Sequence, residues 1–356
     1  MSFARAIILK TVRWVLWSSW ALLGLWNALA IWYCFPLAPW ANGLIAFSIL
    51  ALFAASFREH RRSPNSPARR GWRIAAGCIS VLVMAWYVFL VRPLPPDEWA
   101  PEHARMPQVT IDGHLVHVRD VRNFHWRTPT DFTPGFYDRT YDVDKISRMY
   151  YVVAPLKSLD AVAHVMLCFA FSDGQAVTIS VEGRRPKGVP YAFLPSLFRQ
   201  FQLIYIIGDE RDVIGLRGNV WGIPVRMYPA RTTKDRMQAI FLDMVRRAHD
   251  LDERPEFYNL IFNNCMNNIT YHLRRLGGRP LPSDLAVLLT GLSDRVAFQL
   301  GYFDTDLPFD LARRAFRVDE WMRTVPLDDQ FSAGLRETLH RQEQELLQKA
   351  PPPTPR

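Results

Sequence analysis

The sequence predicts an α+β domain built on an antiparallel sheet and preceded by three transmembrane helices. Three apolar stretches crowd the first 92 of 356 residues, residues 162–183 alternate about a Ser-Asp-Gly turn, and two later segments are amphipathic at helical spacing.

Residues 14–35, 38–57 and 74–91 carry no charged side chain, and each is close to the roughly 20 residues that cross a bilayer. A cleaved signal peptide has one short apolar core and a small-residue cleavage site, whereas here a second and a third span follow the first. Arg5, Lys10 and Arg13 precede the first span, and Arg58, Arg61, Arg62, Arg69, Arg70 and Arg73 separate the second from the third. Cationic loops stay cytoplasmic, so the N-terminus is expected inside and the chain after Arg92 outside the plasma (inner) membrane. Trp14, Trp32, Trp40, Trp72 and Trp86 suit the interfaces, while Trp20 and Trp26 must lie deeper. The formal net charge of +9 is largely this arginine loop, so no nucleic-acid partner is expected; the partner is the lipid bilayer. The chain has no Walker loop, no GxGxxG and no zinc-spaced CxxC pair, and no cofactor or metal is expected.

Residues 1–92 are thus the anchor and 93–108 a proline-rich extended linker; 109–320 form the extracytoplasmic domain, and 321–356 a C-terminal helix and tail. Residues 109–122 read as two short strands about Asp112-Gly113, and 123–141, aromatic and turn-rich, as loop. Residues 162–171 and 175–183 form the clearest hairpin. One face of its first strand carries His164, Met166, Cys168 and Ala170, the other Val165, Leu167, Phe169 and Phe171. A three-residue loop, Ser172 to Gly174, sets His164 opposite Glu182; a two-residue Asp-Gly turn slips the register so that Gly183 faces it instead, leaving Ser180 as the fallback. Residues 202–207 and 225–228 read as strands. Residues 234–249 are an amphipathic helix with Met237, Ile240, Phe241, Met244, Val245 and Ala248 on one face, 285–292 a further element, and 331–349 a last helix before Pro351.

Cys265 stands where a polar turn, Asn263-Asn264, gives way to a helix marked by Ile269, Leu273 and Leu276. Either asparagine can cap that helix. A thiol in the first turn faces unpaired N–H groups and the positive end of the helix dipole, the setting of a poised thiolate. A buried structural cysteine is the competing reading. Cys34 and Cys78 lie in the spans, so Cys168 and Cys265 are the exported pair, and a disulfide between them is an alternative to chemistry. His272, seven residues along the same helix, is about 10 Å up its axis and too far to take a proton. His60 is cytoplasmic, His249 ends a helix and His340 lies on a late one. Of the rest, His103, His114, His117, His125 and His164, only His164 lies on a predicted central hairpin, with an acid opposite it if the loop has three residues.

Val121-Arg122-Asn123-Phe124, Ala163-His164, Ser180-Val181-Glu182, Phe201 to Tyr205, Asp209-Glu210-Arg211-Asp212, Glu256 to Asn259, Asn264-Cys265 and Gly301 to Asp304 together resemble the Lnb N-terminal periplasmic domain family over roughly residues 109–318. The resemblance implies a permuted NlpC/P60 (papain-like) thiol fold, with the histidine strand before the cysteine helix. It implies an acyltransferase acting on a membrane lipid or lipoprotein substrate: Cys265 as nucleophile forming an acyl thioester, His164 as general base, and Glu182 or Ser180 orienting the imidazole. Asn264 and nearby backbone N–H groups are the oxyanion candidates, and Arg211 and Arg184 are candidates for a substrate phosphate or carboxylate. Met266 and Asn267 depart from the family's usual threonine pair. Against the basic candidates stands a plain reading: Asp209 to Asp212 as a solvated turn with internal ion pairs, Arg184, Arg185 and Lys187 as a basic surface loop. A cell-wall amidase or peptidase on the same fold, and an idle domain that binds lipoproteins or an envelope partner, are the other two readings of the whole.

Overall fold

A computed structural model describes residues 3–62, 67–93, 98–156, 159–277 and 289–349. They form two compact units: residues 1–95 with Tyr191–Gln200, and residues 96–190 with 201–356.

In the first unit α1 (Phe3–Cys34), α2 (Pro39–Arg62) and α3 (Pro67–Phe89) pack pairwise. Three stretches, Ile7–Cys34, Pro39–Arg58 and Arg70–Phe89, are long and apolar enough to span a membrane. Polar side chains tie them together: the Trp20 indole donates to Ser56 Oγ at 2.9 Å, and Asn27 Nδ2 to Ser80 Oγ at 3.1 Å. Between apolar helices such bonds are what polar side chains are left to make. Of the tryptophans expected to lie deep, Trp20 makes the first of these bonds and Trp26 packs edge-on against Tyr87.

The second unit is α+β. Its strands are β1 (Gln108–Asp112), β2 (Leu115–Arg122), β3 (His125–Trp126), β4 (Phe132–Thr133), β5 (Phe136–Asp142), β6 (Ile146–Leu156), β7 (Leu159–Phe171), β8 (Ala176–Arg184), β9 (Gln202–Gly208) and β10 (Arg226–Pro229). The main sheet runs β1-β2-β9-β8-β7-β6-β10, with β5 also on β2 and β3-β4 apart. Every pair is antiparallel except the single β2–β9 contact, Arg122 with Gly208. The helices are α4 (Glu210–Gly215), α5 (Lys234–Glu253), α6 (Cys265–Arg275), α7 (Ser293–Gln299), α8 (Phe309–Ala315), α9 (Asp319–Met322) and α10 (Phe331–Lys349).

The β7–β8 hairpin closes through a three-residue loop. Phe171 N donates to Gln175 O at 2.9 Å, and Gly174 takes φ +85°, which a side chain would strain. The ladder runs from Ala170↔Ala176 to Met166↔Ser180, the first of the two registers considered from sequence. Phe169 and Phe171 meet Phe241, so the odd-numbered face of β7 packs on α5.

The structure departs from the sequence expectations at several elements. The loop expected over 123–141 contains β3, β4 and β5, whose exposed polar positions hide the alternation. β6 was not foreseen, because from Met149 to Pro155 it is buried on both faces and shows no period of two. Asp209 to Asp212 is no solvated turn: Asp209 caps α4, accepting from Arg211 N, and Glu210 and Asp212 are fully buried. The last helix packs through Phe331, Leu335 and Leu339 into the core. Within the expected linker, Pro101–His103 form a short helical turn with His103 buried. Residues 285–288 of the expected 285–292 element and the proline tail lie outside the described residues.

Candidate active site

The loop before α6 is pinned by amides. Asn263 Nδ2 donates to Phe257 O at 2.9 Å, and Asn268 Nδ2 to Asn263 Oδ1 and Asn264 O, both at 2.9 Å. Asn264 is the N-cap: its Oδ1 accepts from Asn267 N at 2.9 Å, while Asn267 Oδ1 accepts from Asn264 N at 3.0 Å, a reciprocal capping box. Asn264 Nδ2 donates to Leu260 O at 2.6 Å, so this side chain is occupied in holding the helix start. These bonds explain the four asparagines around Cys265 and deliver its side chain, 5% exposed, at the first turn.

The β7–β8 ladder ends at Met166↔Ser180 although both strands continue, and beyond it β8 pairs only with β9. Cys265 meets β7 where the two strands part. Its sulfur draws on the backbone N–H of Val165, the residue after His164, and on those of Met266 and Cys265 itself. Burial nevertheless pushes the thiol up, and the Glu182 charge adds to this; the N–H groups only offset it in part. The direction runs against the poised thiolate expected from the helix terminus, because the loss of water outweighs the backbone N–H groups.

His164, Ser180 and Glu182 form a chain. His164 Nε2 lies 2.6 Å from Ser180 Oγ, and Ser180 Oγ donates to Glu182 Oε1 at 2.7 Å; the direct His164 to Glu182 separation is 3.8 Å. The direction follows from proton counting. Burial opposes a charge on Glu182, but the hydrogen bond from His103 and the charge of Arg217 outweigh it and hold the carboxyl well below its usual range. An ionised carboxylate only accepts, so the one hydroxyl hydrogen of Ser180 points to Glu182 and His164 Nε2 must carry the proton. The imidazole is neutral with a lone pair on Nδ1: burial and then Arg217 push its pKa down to about 3 against the attraction of Glu182.

Two partners of Glu182 were not assigned from sequence. Arg217 Nη2 donates to Oε1 at 2.9 Å from a π-helical turn, Leu216–Val220, and its Nη1 to Val213 O at 2.6 Å. It is the cation of a buried pair. His103 Nε2 lies 3.4 Å from Oε2, and its Nδ1 accepts from Arg185 N at 3.2 Å. No spacing in the sequence links either to Glu182; the only signal was that a buried carboxylate needs a cation.

The other candidates are placed elsewhere in the network. Arg184 donates to His103 O at 2.9 Å and Ala104 O at 3.0 Å and stacks on Trp99; burial lowers its pKa to about 10. Arg211 donates to Asn123 Oδ1 at 3.1 Å and pairs with Asp329. Its neighbours Glu210 and Asp212 hold Arg336 and Arg122, the latter by two bonds of 2.8 and 3.1 Å. Cys168 is a free thiol donating to Glu210 Oε1 at 2.7 Å, and Cys265 is likewise free, so no disulfide joins them. His272 is fully buried between Asp243 and Tyr205, apart from the chain that ends on His164.

Residues 132–291 match the family model described as Lnb N-terminal periplasmic domain. No curated protein and no solved structure matches the chain. The matched segment holds His164, Ser180, Glu182, Arg217 and Cys265, whereas His103 and Arg122 precede it. An antiparallel-rich α/β unit, three N-terminal helices long and apolar enough to cross a membrane, and this match together fit a membrane-associated protein in which residues 132–291 are similar to the Lnb N-terminal periplasmic domain family.

Proposed function

We propose that the protein is a cysteine-dependent acyltransferase, anchored in the inner membrane with its N-terminus inside, acting on lipid-linked, lipoprotein-like substrates from the extracytoplasmic side. What supports this reading is the His164–Ser180–Glu182 chain on β7 and β8, with the backbone of Val165, next to His164, facing the Cys265 sulfur. The order histidine strand, then cysteine helix, supports a permuted NlpC/P60 (papain-like) arrangement.

The resting pair is neutral thiol and neutral imidazole. As the sulfur attacks the ester carbonyl of an acyl donor, His164 Nδ1 takes the thiol proton, and the Ser180–Glu182–Arg217 chain stabilises the imidazolium that forms. The N–H groups of Cys265 and Met266 are the candidates to hold the tetrahedral oxyanion, since the Asn264 side chain is taken up by the capping box. Collapse expels the alcohol, which leaves with the proton from His164, and an acyl thioester remains. An amine then attacks it, giving the amide and restoring the thiol. Ester and amine become amide and alcohol, with no net change in protons.

The test uses the full chain in lipid nanodiscs with a diacylated lipopeptide bearing an alkyne-tagged acyl chain. A hydroxylamine-labile tag on the Cys265 peptide, followed by N-acylation of the acceptor and lost in Cys265→Ala, is expected. Equal activity in Cys265→Ala, or the absence of a tagged adduct from the parent, would remove the proposal; release of free fatty acid without transfer would make the enzyme a hydrolase.

A further inference from the structure

The connection between β8 and β9 is long for an antiparallel neighbour pair, and its middle, Tyr191–Gln200, belongs to the compact unit of the three apolar helices. Its inner side is built onto the ends of α1 and α3. The Cys34 thiol donates to Phe198 O at 3.2 Å, and Gln200 Nε2 to Tyr33 O at 2.8 Å. Phe198 stacks on Tyr33 with ring centroids 5.6 Å apart. Arg199 Nη1 donates to Tyr87 O and, at 3.0 Å, to Val91 O, and its guanidinium lies over the Tyr87 ring. A cation on the last carbonyls of a helix meets the negative end of its dipole. Holding it there takes a backbone φ of +46° at Arg199, left-handed for a residue with a side chain.

The outer side is the opposite in character. Phe193 is 64% exposed, Tyr191 46% and Leu194 45%, beside a buried Ser196 and Phe198. A loop fastened by this many bonds has no reason to leave aromatic and aliphatic side chains in water. The surface it adjoins is equally apolar: Leu37, Trp40, Phe89 and Leu90, at the same ends of the helices, are 51 to 72% exposed. These ends are opposite the arginine-rich connection between α2 and α3, hence on the extracytoplasmic side.

We propose that residues 191–197 are a lipid-contacting element, with Tyr191, Phe193 and Leu194 seated in the boundary between headgroups and acyl chains of the outer leaflet. The partner is bilayer lipid. Ring side chains at this depth, an anchoring arginine just inside, and continuity with the lipid-facing surface of the spans are the chemistry of an interfacial anchor. The element rests on the membrane anchoring and not on the chemistry at Cys265, but it lies in the segment that leads away from Ser180 and Glu182 on β8. The strand that orients His164 is thereby tied by its own chain to the surface that would present a lipid-linked substrate.

The test places the photoreactive residue p-benzoylphenylalanine at Phe193 in the full chain, in nanodiscs of phosphatidylethanolamine and phosphatidylglycerol. Leu90 serves as a membrane-facing reference and the exposed Gln330 as a remote one. Irradiation is expected to give lipid adducts at Phe193, by mass spectrometry, in a yield within about threefold of Leu90, and at least tenfold above Gln330. A yield at Phe193 no higher than at Gln330, or crosslinks to protein in place of lipid, would overturn the proposal. Because the readout needs no turnover, a lipid adduct in a protein whose Cys265 never acylates would leave this element standing while the acyltransferase reading falls.

Discussion

Replacing Glu182 by glutamine removes the charge on which the whole chain at His164 ends. Arg217 is only 4% exposed, its partner Glu182 18%, and the two are 2.9 Å apart. Breaking a buried pair from one side costs about 3–5 kcal/mol, because the remaining ion is left without a counter-charge. The fifth of Glu182 open to water and the second Arg217 bond, to Val213 O, place the expected cost at the low end, about 3 kcal/mol. For a unit of this size that is a fall in melting temperature of about 6–12 °C, read by intrinsic fluorescence in detergent micelles at pH 7. The effect on catalysis has a different shape. The glutamine carbonyl still accepts the Ser180 hydrogen, so His164 keeps its proton on Nε2 and loses only the stabilisation of its charged form. The variant is expected to be clearly less stable yet more active than Ser180→Ala. A melting temperature within about 2 °C of the parent would refute the reasoning, since Arg217 would then not depend on Glu182.

Four further outcomes are expected. Ser180→Ala leaves His164 without a partner for Nε2, and acyl transfer should fall about 10²–10³-fold in single-turnover assays; an unchanged rate would show that the imidazole is oriented otherwise. The His164 pKa is lowered in the fold, so the unfolded chain binds this proton first, and stability is lost as the pH falls from about 6.5 towards 3. His164→Gln should flatten that limb of the pH–stability curve, and an identical curve would contradict it. Asp212→Asn turns a carboxylate that accepts from Arg122 twice, from Phe124 N and from Trp126 Nε1 into an amide with donors facing donors. It should cost about 3–5 kcal/mol in denaturant unfolding, and under about 1 kcal/mol would mean the buried Arg122 is hydrated. Finally, with Cys265 held as a thiol, its alkylation by iodoacetamide, followed on its tryptic peptide, should keep climbing beyond pH 9; a plateau below pH 8 would restore the thiolate.

Much of the site could be read from the chain because it is built from local rules. Alternation puts His164, Ser180 and Glu182 on one face of one hairpin, and only the turn length was open. Phe171 opposite Gln175 closes it in favour of the pairing that brings the three together. Likewise Asn264 before an apolar period of three and four is a helix start wherever it occurs, and the capping box follows from Asn267. What misled was the same logic applied to charge. Asp209 to Asp212 look like a surface turn, since four ionisable residues in a row ordinarily stay in water. Here Arg122 and Arg336, far away in sequence, meet two of them in the interior.

By itself, then, the sequence determined three stretches long and apolar enough to span a membrane, the hairpin with its two faces, and the amphipathic helices. Each depends on the period of a few consecutive residues or on the cost of placing them in lipid or water. The tertiary structure alone decided that Arg217 and His103 share Glu182, that β7 and β8 part beyond Met166 and Ser180, and that burial pushes the Cys265 thiol up. It also decided that the connection after β8 is fastened to the ends of α1 and α3. Such partnerships join residues separated by long stretches of chain, and a pKa or an ion pair depends on what surrounds a group in space, which no local pattern records.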